Sequence, residues 1–182
     1  MEMKSPLLSL RKKQLALFSI YAVVALFFFL FLKSLVFFFF LTALTAVIAF
    51  AINRLRSPFD VSPVLFCGVL VMHFYGPWLL AVFWLFGSIL PSVLGGGSAG
   101  IASFISLLSL LLASSLVFLT TPYLPFVLVA VAVYSAMAFF ITLLLGSGRG
   151  NALATFFVTF GVNAAYFIAL GNVVIDLGNF LA

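Results

Sequence analysis

From Val61 to Gly148 the chain reads VSPVLFCGVLVMHFYGPWLLAVFWLFGSILPSVLGGGSAGIASFISLLSLLLASSLVFLTTPYLPFVLVAVAVYSAMAFFITLLLGSG, and this stretch contains no Asp, Glu, Lys or Arg. Soluble domains carry about 25% charged residues, whereas this whole chain is 6% charged and 66% hydrophobic. So few charges do not cover a surface that faces water, and the lipid bilayer is therefore the expected solvent. We predict one transmembrane domain over residues 1–182, without a separate soluble domain.

Seven hydrophobic runs are each about as long as a membrane helix requires. They cover residues 14–32, 35–52, 59–75, 78–94, 101–119, 126–145 and 152–170. The runs are continuous and lack the alternation that membrane β-barrels show. The predicted fold class is therefore all-α, a polytopic integral membrane helical bundle of about seven (six to seven) transmembrane helices. The third run is short, and a re-entrant element is the alternative there.

The composition divides the domain further. Residues 1–13 form a basic N-terminus, and residues 14–52 form a Phe-rich stretch that we expect to be a helical hairpin turning at Lys33 and Ser34. Small residues, which let helices approach closely, are concentrated in residues 57–170, the expected packed unit. Residues 171–182 are expected to be a tail. The 14–52 hairpin is expected to face lipid or a membrane protein partner.

Lysines and arginines predict the orientation. With the N-terminus in the cytoplasm and seven spans, seven of the eight basic residues fall inside, and only Lys33 falls outside. This arrangement follows the positive-inside rule and places the C-terminus outside a multi-pass protein of the cell membrane. The net charge of +5 is expected to contact anionic headgroups, and no nucleic acid partner is predicted.

The histidine of the charge-free stretch predicts a candidate site. His73 lies close in sequence to Tyr75, Trp78 and Trp84 across the Gly-Pro turn at residues 76–77. Apolar walls with a few placed polar groups are typical of small-molecule sites, so these side chains are candidates to bind a small apolar ligand. The alternative is an interfacial belt of amphipathic rings at headgroup depth.

Two further polar residues have alternative interpretations. Asn163 is expected in the middle of the last helix, where a buried amide either bonds to a neighbouring helix or contacts a polar substrate. Asp60 is expected at a helix start, where a carboxylate caps free backbone N–H groups. A role of Asp60 in binding a substrate or a proton is the alternative.

The loop GGGSAG contains the pattern Gly96-x-Ser98-x-Gly100, which fits serine hydrolases and resembles the serine loop of rhomboid intramembrane proteases. A serine nucleophile needs a base, but no histidine follows Ser98 in the chain. We therefore expect no catalytic residues and a flexible turn here. We also expect no cofactor and no metal, because one His and one Cys do not supply four zinc ligands.

The stretch Ser57–Gly100 contains Pro63, the turn Gly76-Pro77 and the glycines 95–97. In this outline it resembles the S-component fold of energy-coupling-factor vitamin transporters and, more distantly, MreD. The resemblance covers about a quarter of the chain. It implies a small-solute binding or transport subunit without its own ATPase. A non-catalytic MreD-like scaffold is the alternative, and a rhomboid-like protease or pseudoprotease is the third hypothesis.

Overall fold

The computed structural model describes residues 6–55, 60–97, 99–119 and 124–181, with side chains except at 6–17, 28–31, 118–119 and 124–126. Every element in these ranges is helical. They are α1 (Pro6–Arg54), α2 (Val64–Trp84), a π-helical turn (Leu85–Ile89), α3 (Leu90–Leu94), α4 (Ile101–Leu119), α5 (Leu124–Leu144) and α6 (Arg149–Leu181). Four helical stretches are long and apolar enough to cross a membrane, and a shorter apolar helix covers Ile101–Val117. The all-α class is confirmed in this coarse form, whereas seven spans are not.

The expected turn at Lys33 and Ser34 is absent, because α1 continues through both residues as one helix of 49 residues. Neither residue is Gly or Pro, and lysine is itself a good helix former, so the backbone hydrogen bonds continue through both residues. At a rise of about 1.5 Å per residue such a helix is about 74 Å long, more than twice the thickness of a bilayer core. One continuous helix therefore stands where the 14–52 hairpin was expected.

The turn predicted at Gly76 and Pro77 is present inside α2. Gly76 has φ 81° and ψ −179°, a conformation outside the helical region that separates residues 64–75 from the following helix. Only glycine adopts this region readily, and Pro77 lacks the N–H that would continue the helix. The chain therefore changes direction here.

Contacts with α1 show that this change is a reversal. Tyr75 reaches Ser34 on α1, whereas Gly95, which directly follows α3, lies against Phe50 near the end of α1. Residues 77–94 thus run beside the second half of α1 in the same direction. The packing is close, since a Cβ added at Gly95 would lie 2.7 Å from the Phe50 carbonyl oxygen.

The bundle has two ends, which we name after their basic residues. At the Lys33 end, the Lys33 ammonium donates a 2.6 Å hydrogen bond to the carbonyl of Phe180 on α6. At the Arg54 end lie Arg54 and Gly95. Because α6 runs as one helix to Leu181, residues 171–182 are not the separate tail that was expected.

The core surrounds α2, which packs against α4, α6 and α1. Leu65, Leu110 and Phe83 are fully buried there. A Cβ added at Gly68 on α2 would lie 2.7 Å from the side chain of Leu110 on α4. α5 packs between α4 and α6 on one side of this core. The small residues of α2, α4 and α5 thus permit the close helix contacts that hold the bundle.

Candidate functional site

The residues proposed from sequence to form one aromatic pocket are separated by the fold. His73 is exposed and contributes to a small apolar cavity of about 70 Å³ between α2, α4, α5 and α6. Its ring lies edge-on to Phe74 with centroids 4.8 Å apart. The cavity also contains Phe66, Val117 and Phe167. His73 therefore does border an apolar space, at the Lys33 end of the bundle.

The other three aromatic residues point elsewhere. Tyr75 lies in a different groove, between α1 and residues 79–86. Trp78 is 81% exposed, whereas Trp84 is 9% exposed and its indole N–H donates to Ser106 at 3.4 Å. The structure therefore brings none of these three beside His73.

Asn163 is buried in the middle of α6, as its position in the sequence predicted. Its side-chain amide donates to the carbonyl of Thr159 on the same helix at 2.8 Å. Its Oδ1 atom is buried and has no hydrogen-bond partner among the described residues. The hydrogen bond of Asn163 is thus made within α6, and one strong acceptor is left unpaired inside the bundle.

A polar cavity that the sequence did not lead us to expect lies on the Arg54 side of the core, between α4, α5 and α6. Its volume is about 180 Å³. Its polar side chains are one carboxylate and six hydroxyls, and we call it the hydroxyl cavity: Asp60, Ser106, Ser109, Tyr134, Thr142, Thr155 and Thr159. In a bundle whose helices are otherwise apolar, such a concentration of polar groups marks a candidate binding site.

Most of these hydroxyls donate their proton to their own helix. The hydroxyls of Ser109 and Thr142 donate to carbonyls four residues earlier at 2.7 and 2.8 Å, and Thr155 does the same at 2.9 Å. Ser106 donates to the carbonyl of Ser103 at 2.9 Å. Each bond satisfies the proton locally and leaves oxygen lone pairs to accept a hydrogen bond from a bound molecule.

Asp60 stands where the hydroxyl cavity meets an outer groove of about 340 Å³ at the Arg54 end. Both spaces are lined by Asp60, Ala102 and Ser106. The Oδ1 atom of Asp60 accepts the backbone N–H of Ser62 at 2.9 Å, a local turn typical of aspartate. The carboxylate therefore orders the segment before α2, close to the capping role predicted for it, and also borders the cavity.

The spacing of the hydroxyl residues is the sequence signal for this cavity. Thr155, Thr159 and Asn163 follow one another at intervals of four, and Ser103, Ser106 and Ser109 at intervals of three. Residues three or four apart lie on one face of a helix. Two polar faces on two apolar helices were therefore visible in the chain, but their meeting at Asp60 depends on the bundle geometry.

The described residues do not test the serine-hydrolase pattern. Ser98 lies outside them, and its neighbour Gly97 packs against Asn53 at the Arg54 end, whereas His73 lies at the Lys33 end. No group of three or more His, Cys, Asp or Glu residues suited to a metal ion is present in the part of the chain that the structure describes.

No protein-family model, no curated protein and no solved structure matches this chain.

Proposed function

We propose that this protein is a multi-pass protein of the cell membrane that binds a small solute, as a binding or transport subunit without its own ATPase. The hydroxyl cavity is the observation that carries the proposal. It is a partly open cavity of about 180 Å³ with seven polar side chains, in a bundle that contains helices long and apolar enough to span a bilayer. Polar side chains are uncommon within membrane-spanning segments and often mark a substrate or ion pathway, so a ligand best explains a cavity that collects seven of them.

The position of the cavity also supports passage of a solute. Asp60 and Ser106 line both the cavity and the outer groove, so the two spaces adjoin at the Arg54 end. Further along α6, Asn163 lies one turn beyond Thr159, and Phe167 of the His73 cavity lies one turn beyond Asn163. Polar and then apolar spaces thus succeed one another along the same helix face.

A screen of small solutes tests this proposal. Purified protein in detergent is unfolded by heat in the presence of amines, alcohols, amides and carboxylates up to the size of an amino acid. A ligand that binds the folded state raises the melting temperature. We expect at least one compound to do so in the wild type. Thr159→Val should abolish the gain, whereas Thr45→Val, a buried threonine that donates to Leu41, should retain it.

The non-catalytic scaffold is the second candidate, and one observation favours it. All residues from 18 to 27 on α1 are exposed, and a single Phe-rich helix that extends past the bundle suits a partner helix. Photo-crosslinking from position 23 tests this, with position 129 as the matched control, because Val23 and Val129 are both exposed. A defined protein adduct from position 23 alone, with no solute binding, would favour the scaffold.

A further inference from the structure

We infer that the solute taken by the hydroxyl cavity is a small organic cation, with an ammonium group held at Asp60. The inference rests on the proposed function and specifies its substrate class. Its first basis is the balance of hydrogen-bond donors and acceptors. Four of the six hydroxyls donate to carbonyls on their own helices and present acceptor oxygens to the cavity. Only Tyr134 and Thr159 have a hydroxyl proton without a partner among the described residues. A ligand rich in N–H donors matches such a lining.

Charge points to the same class. Among the residues that the structure describes, Asp60 is the one charged residue that lines the hydroxyl cavity, and no described Lys, Arg or His lines either the cavity or the outer groove. Asp60 is exposed where the cavity meets the outer groove, and a carboxylate is an acceptor that forms a charge-assisted hydrogen bond with an ammonium group. An anionic solute would meet this carboxylate without a compensating base. A neutral polyol would leave the charge without a partner.

Size favours an organic cation over a bare metal ion. The volume of about 180 Å³ exceeds the space that one water molecule occupies, about 30 Å³ in the liquid, several-fold. The acceptor oxygens of Ser109, Thr142 and Thr155 line this space. The cavity thus has room for a carbon skeleton beside the ammonium group and offers acceptors along its length.

Titration calorimetry with matched probes tests the inference. The probes are ethanolammonium, ethylene glycol and glycolate, together with butylammonium, n-butanol and butyrate, and sodium chloride serves as the metal-cation arm. Each set of three compounds shares one carbon skeleton. In at least one set, we expect the ammonium compound to bind more tightly than its neutral and anionic analogues. Asp60→Asn should raise the dissociation constant of the ammonium at least about tenfold, equivalent to about 1.4 kcal/mol. Asparagine retains an oxygen that accepts the Ser62 N–H, so the fold is expected to persist, and the melting temperature of the free variant checks this.

Asp176→Asn is the matched control, because it removes one exposed acidic charge from α6 outside the cavity. It should leave the ammonium affinity within twofold of wild type. An equal loss of ammonium affinity in both variants would overturn the inference. It would also be overturned if the ammonium probes do not bind and sodium binds in a way that Asp60→Asn abolishes. The inference would also be overturned if a neutral or anionic probe binds more tightly than the ammonium probe and this binding depends on Thr159. In that case the proposed function, binding of a small solute, would still hold. Absence of binding by every probe and every compound of the wider screen would instead contradict the proposed function.

Discussion

The hydroxyl of Tyr75 donates a hydrogen bond of 2.6 Å to the backbone carbonyl of Ser34, in the middle of α1. The ring of Tyr75 also lies edge-on to Phe38, with centroids 5.6 Å apart. Tyr75 is the last residue before the reversal at Gly76. These contacts therefore fix the turn of α2 against α1 at the Lys33 end of the bundle.

Replacement of Tyr75 by Phe tests this attachment. The variant keeps the ring contact and loses the hydrogen bond, so we expect a loss of about 1 kcal/mol in the free energy of unfolding. Thermal or denaturant unfolding followed by tryptophan fluorescence measures the change. Tyr21→Phe, at an exposed position of α1, is the control and should be neutral. An equal effect of both substitutions would contradict a specific role for the Tyr75 hydroxyl.

The conformation of Gly76 gives a second prediction. At φ 81° an alanine is strained, although a Cβ there would meet no atom within 4 Å. We expect Gly76→Ala to destabilise the protein by about 1–3 kcal/mol through the backbone alone. Gly161→Ala, in an open position of helix α6, should be neutral or stabilising because alanine favours a helix. A neutral Gly76→Ala variant would argue against the turn.

Close packing at Gly95 gives a third prediction. A Cβ at this position would lie 2.7 Å from the Phe50 carbonyl oxygen and 2.9 Å from the Asn53 side chain. Backbone atoms do not move aside cheaply, so Gly95→Ala should cost about 1–3 kcal/mol. Gly100→Ala is the matched control, because a Cβ there meets nothing within 4 Å. Equal unfolding midpoints for the two variants would show that α1 and residue 95 are not in contact.

Topology gives a fourth prediction. α6 carries the chain from the Arg54 end of the bundle to the Lys33 end, where Phe180 meets Lys33. Reporter fusions at Gly148 and Ala182 should therefore lie on opposite sides of the membrane. Protease protection or reporter activity at the two positions measures this. Both fusions on one side would exclude a spanning α6.

Local signals in the chain predicted the helical class and the main turn. Pro77 after Gly76 predicted the reversal in α2, because glycine supplies the unusual φ and proline ends the preceding hydrogen-bond pattern. The turn predicted at Lys33 was wrong. A charge in an apolar run indicates a membrane boundary, but it does not end a helix, so α1 continues through it.

The site depended on long-range geometry. His73 and Trp78 are near in sequence, yet the reversal at Gly76 leaves Trp78 exposed while His73 borders an apolar cavity. Asp60 and Thr159 are far apart in sequence and line one cavity. Helix periodicity predicts which residues share one face, but not which faces of different helices meet.

If solutes reach the hydroxyl cavity, a thiol placed in it reacts with a small cationic reagent while the protein is folded. Cys67 is the only cysteine of the chain and is buried, so Cys67→Ala provides a background without thiols. In this background Thr159→Cys and Thr45→Cys place a thiol at two buried threonines, of which only Thr159 lines the cavity. A trimethylammonium methanethiosulfonate should modify Thr159→Cys in the folded protein and Thr45→Cys only after unfolding. Protection of both thiols until unfolding would show that solutes do not reach the hydroxyl cavity.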